Sequence, residues 1–543
     1  MKMSKLTTLV FVLGAILYSP KVDAQNVPNI LESGRESKLL LVQVNSQDPK
    51  FYIKRGEARL ESGDVKGALE DFNQALHLNS NDAEAYNNIG AVRYESGDLK
   101  GAMEYLNKSI RLDPNDAVVY SNRGIARFQS GDAKGAIEDL NKALHLNPNS
   151  VEAYVNRGVI RRKSGDMKGA IEDLNKALRL NPNSVKAYNQ RSSTRSELGD
   201  TKGAIEDLNK ALRLNPNSVE AYNNRGLARR ESGDAKGAIE DLNKALRLNP
   251  NSVEAYNNRG LARTDLGDAK GAIEDFNQAL RINPNIALSH SNRGFARFQS
   301  GDVKGAIEDN NQALRLNPNL GIAHYNRGYA RFQSGDVKGA MEDYNQALRL
   351  DPNLGVAYSN RGIARFQSGD VKGAIEDYNQ ALRLNPNFAQ TYDSRAFARA
   401  ESGDLKGAIE DLNQVLRLNP NLADAYSKRS FIRLQLGDMK GATEDFNQAL
   451  HINPKYAEAY VMRGLALAKL GDLQGAMADY NQALRLNPTL AEAYVSRGAL
   501  LAQIGDIKGA IANLQKASEL FQQQGKIAEY QSTLNLLREI NNK

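Results

Sequence analysis

Cysteine and tryptophan are both absent from the 543 residues. Without cysteine there is no disulfide framework, no thiolate metal site and no thiol nucleophile. Histidine is scarce, at 5 residues: His77, His145 and His451 share one recurring position, and His290 and His324 share another. No third ligand accompanies the last two, so no metal site is expected and they read as substitutes within a packed core. No nucleophile stands beside a base, and no cofactor motif is present, so the chain is expected not to be an enzyme. Charge of one sign is not blocked together either. The net charge is +7, but Lys and Arg alternate with Asp and Glu along the chain, the pattern of a solvated surface, which disfavours nucleic acid as a partner.

The only marked apolar run is short. Lys2 and Lys5 precede apolar residues 6–18, followed by Ser19, Pro20 and then Val22-Asp23-Ala24. That order is expected of a secretory signal peptide cleaved after Ala24, since the run is too short to span a bilayer. Residues 25–48 carry a brief apolar stretch at 39–44 and are expected to form a linker or N-terminal cap. No transmembrane segment is expected later in the chain. An exported compartment follows, a bacterial periplasm or cell envelope being the first choice.

From residue 49 to 524 the sequence aligns with itself as fourteen units of 34 residues without insertion or deletion. Each has Gly-Asp at positions fifteen and sixteen and Gly-Ala at nineteen and twenty, from Gly63-Asp64 and Gly67-Ala68 to Gly505-Asp506 and Gly509-Ala510. In the third unit Ala117–Gln129 reads as helix A, Gly131-Asp132 as a turn and Ala133–Leu146 as helix B, ended by Asn147-Pro148. Glycine can close one helix in the left-handed conformation, aspartate can cap the next, and proline cannot continue a helix. Tyr120, Gly124 and Arg127 share one stripe of helix A, and Ala136, Leu140 and Ala143 share one of helix B. No unit could bury these stripes alone, so stability must come from stacking. The Gly-Asp turns lack phosphate-loop spacing and recur as a rule of the fold. Beyond Gly525, Ile527, Tyr530, Leu534, Leu537 and Ile540 keep helical spacing, which predicts a solvating end helix over residues 525–543.

These units resemble the tetratricopeptide repeat, whose aromatic, Leu-Gly, Tyr, Ala, Phe and Pro offsets run through residues 49–524. The resemblance implies an all-α fold, an alpha-alpha superhelix of fourteen helix-turn-helix repeats. Departures from the family pattern are informative. Position seven, usually Leu, is Arg in thirteen units, and twelve of these have Asp at position twenty-three, as in Arg225 and Asp241. The second unit has Ile89 and Tyr105, and the last has Arg497 with Asn513. Loss of both members together predicts an Arg-Asp bridge between helices A and B. Arg at eleven and Glu at twenty-two are likewise both missing from the last two units, a weaker coincidence because position twenty-two points away from helix A.

A second face of helix A, at positions two, five, six, nine, twelve and thirteen, varies along the chain; in similar arrays it lines the concave groove. Units four to seven place Arg162, Lys163, Ser196, Arg230 and Thr264 there. Units eight to ten place Phe295, Phe298, Tyr325, Tyr329, Phe332, Ile363 and Phe366, with Asn292, Asn326 and Asn360 alongside. Rings offer contact area and amides can bond a peptide backbone, so these ten residues are the candidate partner-binding set. The alternative is that the rings only pack against the next helix A. The family's carboxylate clamp is incomplete, because position nine is apolar in most units. The expected function is a non-enzymatic scaffold or adaptor that binds proteins or peptides in this groove; recognition of envelope polysaccharide by the same groove is the alternative.

Overall fold

The computed structural model describes residues 47–541. Regular structure among these residues is helical throughout: each repeat is a pair of antiparallel helices, from Pro49–Glu61 with Val65–Leu78 to Ala491–Gln503 with Ile507–Gln523, and Ile527–Asn541 follows as one more. No helix among them is long and apolar enough to cross a membrane. The expected signal peptide and most of the expected linker lie outside the described residues.

The turn chemistry repeats with the sequence. In the third repeat Gly131 adopts φ 91°, a left-handed conformation that L side chains rarely take. Asp132 then caps helix B by accepting a hydrogen bond from the Gly135 amide at 2.8 Å. That cap explains the second invariant glycine, since a Cβ on Gly135 would lie 2.1 Å from the Asp132 Oδ2. Ala136 follows, fully buried, with its carbonyl 3.1 Å from where a Cβ on Gly124 would stand. Helices A and B therefore touch almost backbone to backbone.

The chain divides into two compact units between Ser300 and Gly301. In the first, helix-A caps in repeats four to seven are Ser150, Ser184, Ser218 and Ser252, each bonding an amide of the first turn. Its core is a series of small clusters, for instance Leu174, Ala177, Leu208 and Ala211 with Tyr188. In the second unit the same cap position is apolar, as at Leu320, Leu354 and Phe388, and makes no side-chain cap bond. There Phe446, Tyr480 and Leu514 of helix B are buried, Tyr480 and Leu514 against the glycines Gly464 and Gly498 of their own helix A. The end helix covers the fourteenth repeat with Leu537 and Ile540, which cluster with Ala510 and Leu514. Ile527 does not join that face. It is 73% exposed, because it begins the helix directly after the turn at Gly525.

The Arg-Asp bridge between helices A and B is present in at least eleven repeats as an ion pair of the position-seven guanidinium with a buried carboxylate. Arg225 is typical: Nε and Nη2 donate to the Asp241 oxygens at 2.8 and 2.6 Å. The guanidinium also lies over the Tyr222 ring at 5.6 Å and donates to Asn209 Oδ1, on helix B of the preceding repeat, at 2.7 Å. One side chain thus joins two helices of its own repeat and one of its predecessor. Where the last repeat has Asn513 in place of Asp, Arg497 still donates to it at 2.9 Å. Burial, without a compensating carboxylate, lowers the Arg497 pKa, whereas the hydrogen bond to Asp479 raises that of Arg463. Arginine at position eleven takes other partners than the glutamate suggested by the sequence. Arg229 donates to the Gly237 carbonyl at 3.1 Å and pairs with Asp241 Oδ2 at 2.9 Å.

Candidate functional site

The helix-A face of the first unit is polar, and two of its arginines are paired in place. Arg162 pairs with Glu197, and Arg230 with Asp265 at 2.6 Å, each joining position twelve to position thirteen of the next repeat. Thr264 is buried and donates to the Gly260 carbonyl at 2.8 Å. The sequence suggested a partly basic stretch; two of its arginines are neutralised in place. Desolvation and the Arg162 charge lower the pKa of Lys163 beside them. At the far end of this unit Phe295 is buried, while Phe298 and Asn292 are half-buried. His290 replaces the usual Tyr, and its Nε2 meets the Pro284 carbonyl at 3.0 Å. Nearby, Glu274, Gln278, Arg281 and Pro284 border a depression of about 590 Å³ that is open to solvent.

In the second unit the ten-residue set separates into two kinds. Tyr325 and Asn360 are 0% exposed. Asn360 Nδ2 donates to the Tyr325 hydroxyl at 2.9 Å, and the Tyr325 ring lies 6.1 Å from Tyr344. These two residues therefore cannot touch a partner and belong to the core between repeats nine and ten. Tyr329 and Ile363 are buried as well. Burial pushes the Tyr329 hydroxyl up to about 12. Phe332, Phe366 and Asn326 remain half-buried. Tyr325, Asn360, Tyr329 and Ile363, like Phe295 in the first unit, are buried and leave a partner little or no surface to touch.

The amides have an internal role that the sequence did not disclose. In several repeats position six bonds position five of the preceding helix A: Asn122 to Asn87 at 2.9 Å, Asn258 to Asn223 at 3.0 Å, and Asn360 to Tyr325. Lys428 does the same with Asp393 at 2.9 Å, whereas Asn88 donates to Glu57 at 3.3 Å and the buried Asn156 makes no such bond. A recurring Asn there is a spacer between adjacent A helices first, and a ligand-binding group only where an atom is left over.

Exposed aromatic surface lies further along than the sequence indicated. Phe397 and Phe431, at position nine of repeats eleven and twelve, are each 38% exposed. Phe366 meets Phe397 edge-on, with ring centroids 5.3 Å apart. The signal was readable: position twelve is Phe in repeats nine and ten but Ala400 in repeat eleven, and Ala cannot cover a ring one turn earlier on the same helix face. Among the described residues no group of three or more His, Asp or Glu side chains converges as a metal site would require.

Models of the TPR repeat and the tetratricopeptide repeat match residues 56–131, 122–185, 195–286, 296–388 and 398–505. No curated protein matches. Similar solved structures include the APC/C hetero-tetramer Cut9-Hcn1, at 16% identity and TM-score 0.46 over 84% of this chain and 100% of that one. A tetratricopeptide repeat protein from Parabacteroides merdae ATCC 43184 is similar at 22% identity and TM-score 0.40, over 46% of this chain and 98% of that one. MamA shows 31% identity and TM-score 0.28 over 30% of this chain and 96% of that one. Scores of this size assign nothing beyond what the repeats themselves show.

Proposed function

Since the chain belongs to the tetratricopeptide-repeat family, we propose that it is a non-enzymatic scaffold, working in an exported compartment, that binds segments of partner proteins on the helix-A face. One observation carries the reading: every other Phe and Tyr among the described residues is buried or half-buried, whereas Phe397 and Phe431 stay exposed beside half-buried Phe366. Aromatic rings held on a rigid helix give contact area at little entropic cost. The compartment rests on the basic start, short apolar run and Val22-Asp23-Ala24 of the sequence.

The test is a crosslinking pull-down from native cell envelope with the processed protein, comparing wild type with Phe298→Ala, Phe332→Ala, Phe366→Ala, after circular dichroism has shown both folded. A protein held by wild type and lost from the variant supports the reading. Capture of glycan alone, or of nothing, refutes it, and an N-terminal sequence retaining residues 1–24 in vivo refutes the compartment.

A further inference from the structure

We infer that the helix-A face around Phe366, Phe397 and Phe431 takes a partner segment in which lysine or arginine stands next to apolar side chains; this rests on the scaffold reading above and gives its partner a chemistry. Three observations converge. The first is apolar: Phe397 and Phe431 are each 38% exposed, whereas Tyr329 and Ile363, at the same position of repeats nine and ten, are 6% and 8% exposed. An apolar side chain laid against the two rings removes surface from water that the fold itself leaves wet.

The second is charge. On the same face of repeats eleven and twelve stand Asp393, Glu401, Asp424 and Lys428. Lys428 lies between two of the acids, 2.9 Å from Asp393 and 2.7 Å from Asp424. This face thus carries three carboxylates and one ammonium, which touches two of them, a local excess of negative charge in a chain whose net charge is +7. The arginines of these two A helices do not redress it, because Arg395, Arg399, Arg429 and Arg433 all pair with the buried carboxylates Asp411 and Asp445. Complementary charge selects among apolar segments and speeds encounter more than it adds affinity.

The third is their proximity in sequence and register. Asp393 is one helical turn before Phe397, so ring and carboxylate share one stripe of that helix, while Lys428, three residues before Phe431, is held by Asp393 and Asp424. An aromatic face with a carboxylate beside it suits a cation, which gains from the ring as well as from the acid. Acidic-apolar, or uncharged apolar, segments gain from the rings alone and meet repulsion or nothing at the carboxylates.

The experiment uses the full processed chain and three short fluorescein-labelled synthetic peptides, of alternating leucine and lysine, leucine and glutamate, and serine and lysine, read by fluorescence anisotropy. The leucine-lysine peptide is expected to bind, with the other two at least about tenfold weaker. Phe397→Ala with Phe431→Ala, and separately Asp393→Asn with Asp424→Asn, should each weaken it by at least about tenfold while thermal melting stays within a few degrees, since none of these side chains is in the core. Equal binding of the leucine-glutamate peptide, or binding indifferent to both variants, overturns the inference. So does sedimentation showing that a second copy of the chain occupies Phe397 and Phe431. If the envelope pull-down holds a protein on this chain but the leucine-lysine peptide does not bind, the partner chemistry is wrong and the scaffold stands; if both fail, both readings fall.

Discussion

Replacing Arg225 by alanine removes three hydrogen bonds at once. Two are hydrogen bonds to Asp241, whose side chain is 1% exposed, and the third reaches Asn209 in the preceding repeat. Removing one partner of a buried ion pair costs about 3–5 kcal/mol when the other charge is left alone. Asp241 would not be alone, because Arg229 Nη1 stays 2.9 Å from Oδ2. The expected loss is therefore lower, about 2–3 kcal/mol, nearer to that of charge-assisted hydrogen bonds. In a stacked array this loss is felt by a repeat and its neighbours rather than by the whole chain. Hydrogen exchange followed by mass spectrometry should show amides of residues 219–248 exchanging roughly 30- to 160-fold faster, with distant repeats unaffected. The second repeat supplies a control, since Ile89 and Tyr105 occupy these positions and Arg93 lies 4.8 Å from the Tyr105 ring. Arg225→Ile combined with Asp241→Tyr should recover at least about 1 kcal/mol relative to the sum of the single changes, with Arg229 stacked on the new ring. Unchanged exchange and melting in Arg225→Ala would refute a structural role for the pair.

Three further outcomes follow from the geometry. Gly362→Ala would place a Cβ 2.7 Å from Tyr378 Cε1 and should cost about 1–3 kcal/mol by overpacking, whereas Gly321→Ala meets nothing nearer than Leu350 Cβ at 3.6 Å and should stabilise by about 0.4–1 kcal/mol; chemical denaturation distinguishes them. Burial pushes the hydroxyls of Tyr94, Tyr329 and Tyr480 up to about 12. A pKa raised on folding gives a contribution fully present below the unfolded value of about 10 and lost as pH climbs through the folded one, so stability should fall between those limits as phenolate absorbance grows. Tyr325→Phe removes the acceptor of the buried Asn360 amide and should cost about 1–3 kcal/mol in thermal melting without changing the affinity of any partner bound at Phe397 and Phe431.

The fold was legible because its punctuation is local. Gly131, Asp132 and Pro148 each act within a few residues of themselves, so Ala117–Gln129 and Ala133–Leu146 could be bounded without knowing what they pack on. The Arg-Asp bridge was legible for a different reason, since two repeats lack it and expose the coupling. Its reach to the preceding repeat was not: Asn73 is retained even where Ile89 cannot use it, and donates to the Leu69 carbonyl instead. Arg229 misled in the same way, because its partners Gly237 and Asp241 hardly vary while Glu at position twenty-two does. The candidate face was the least legible part. Whether a ring there is covered depends on the neighbouring A helix and on the residue one turn away, so Tyr325 is enclosed while Phe397 is not, although both are aromatics on the same amphipathic face.

The backward reach of the arginine at position seven also makes the joints interchangeable. Each repeat except the last, which has Gln515, presents an Asn on helix B to whatever follows, and each except the second carries the guanidinium that seeks one: Arg191 finds Asn175, Arg225 finds Asn209, Arg259 finds Asn243. Excising residues 219–252 would bring Arg259 against Asn209, the same coupling with different owners. A chain built on such a connector can gain or lose whole repeats at little cost to the seam, lengthening or shortening its reach while the next unit still docks in register.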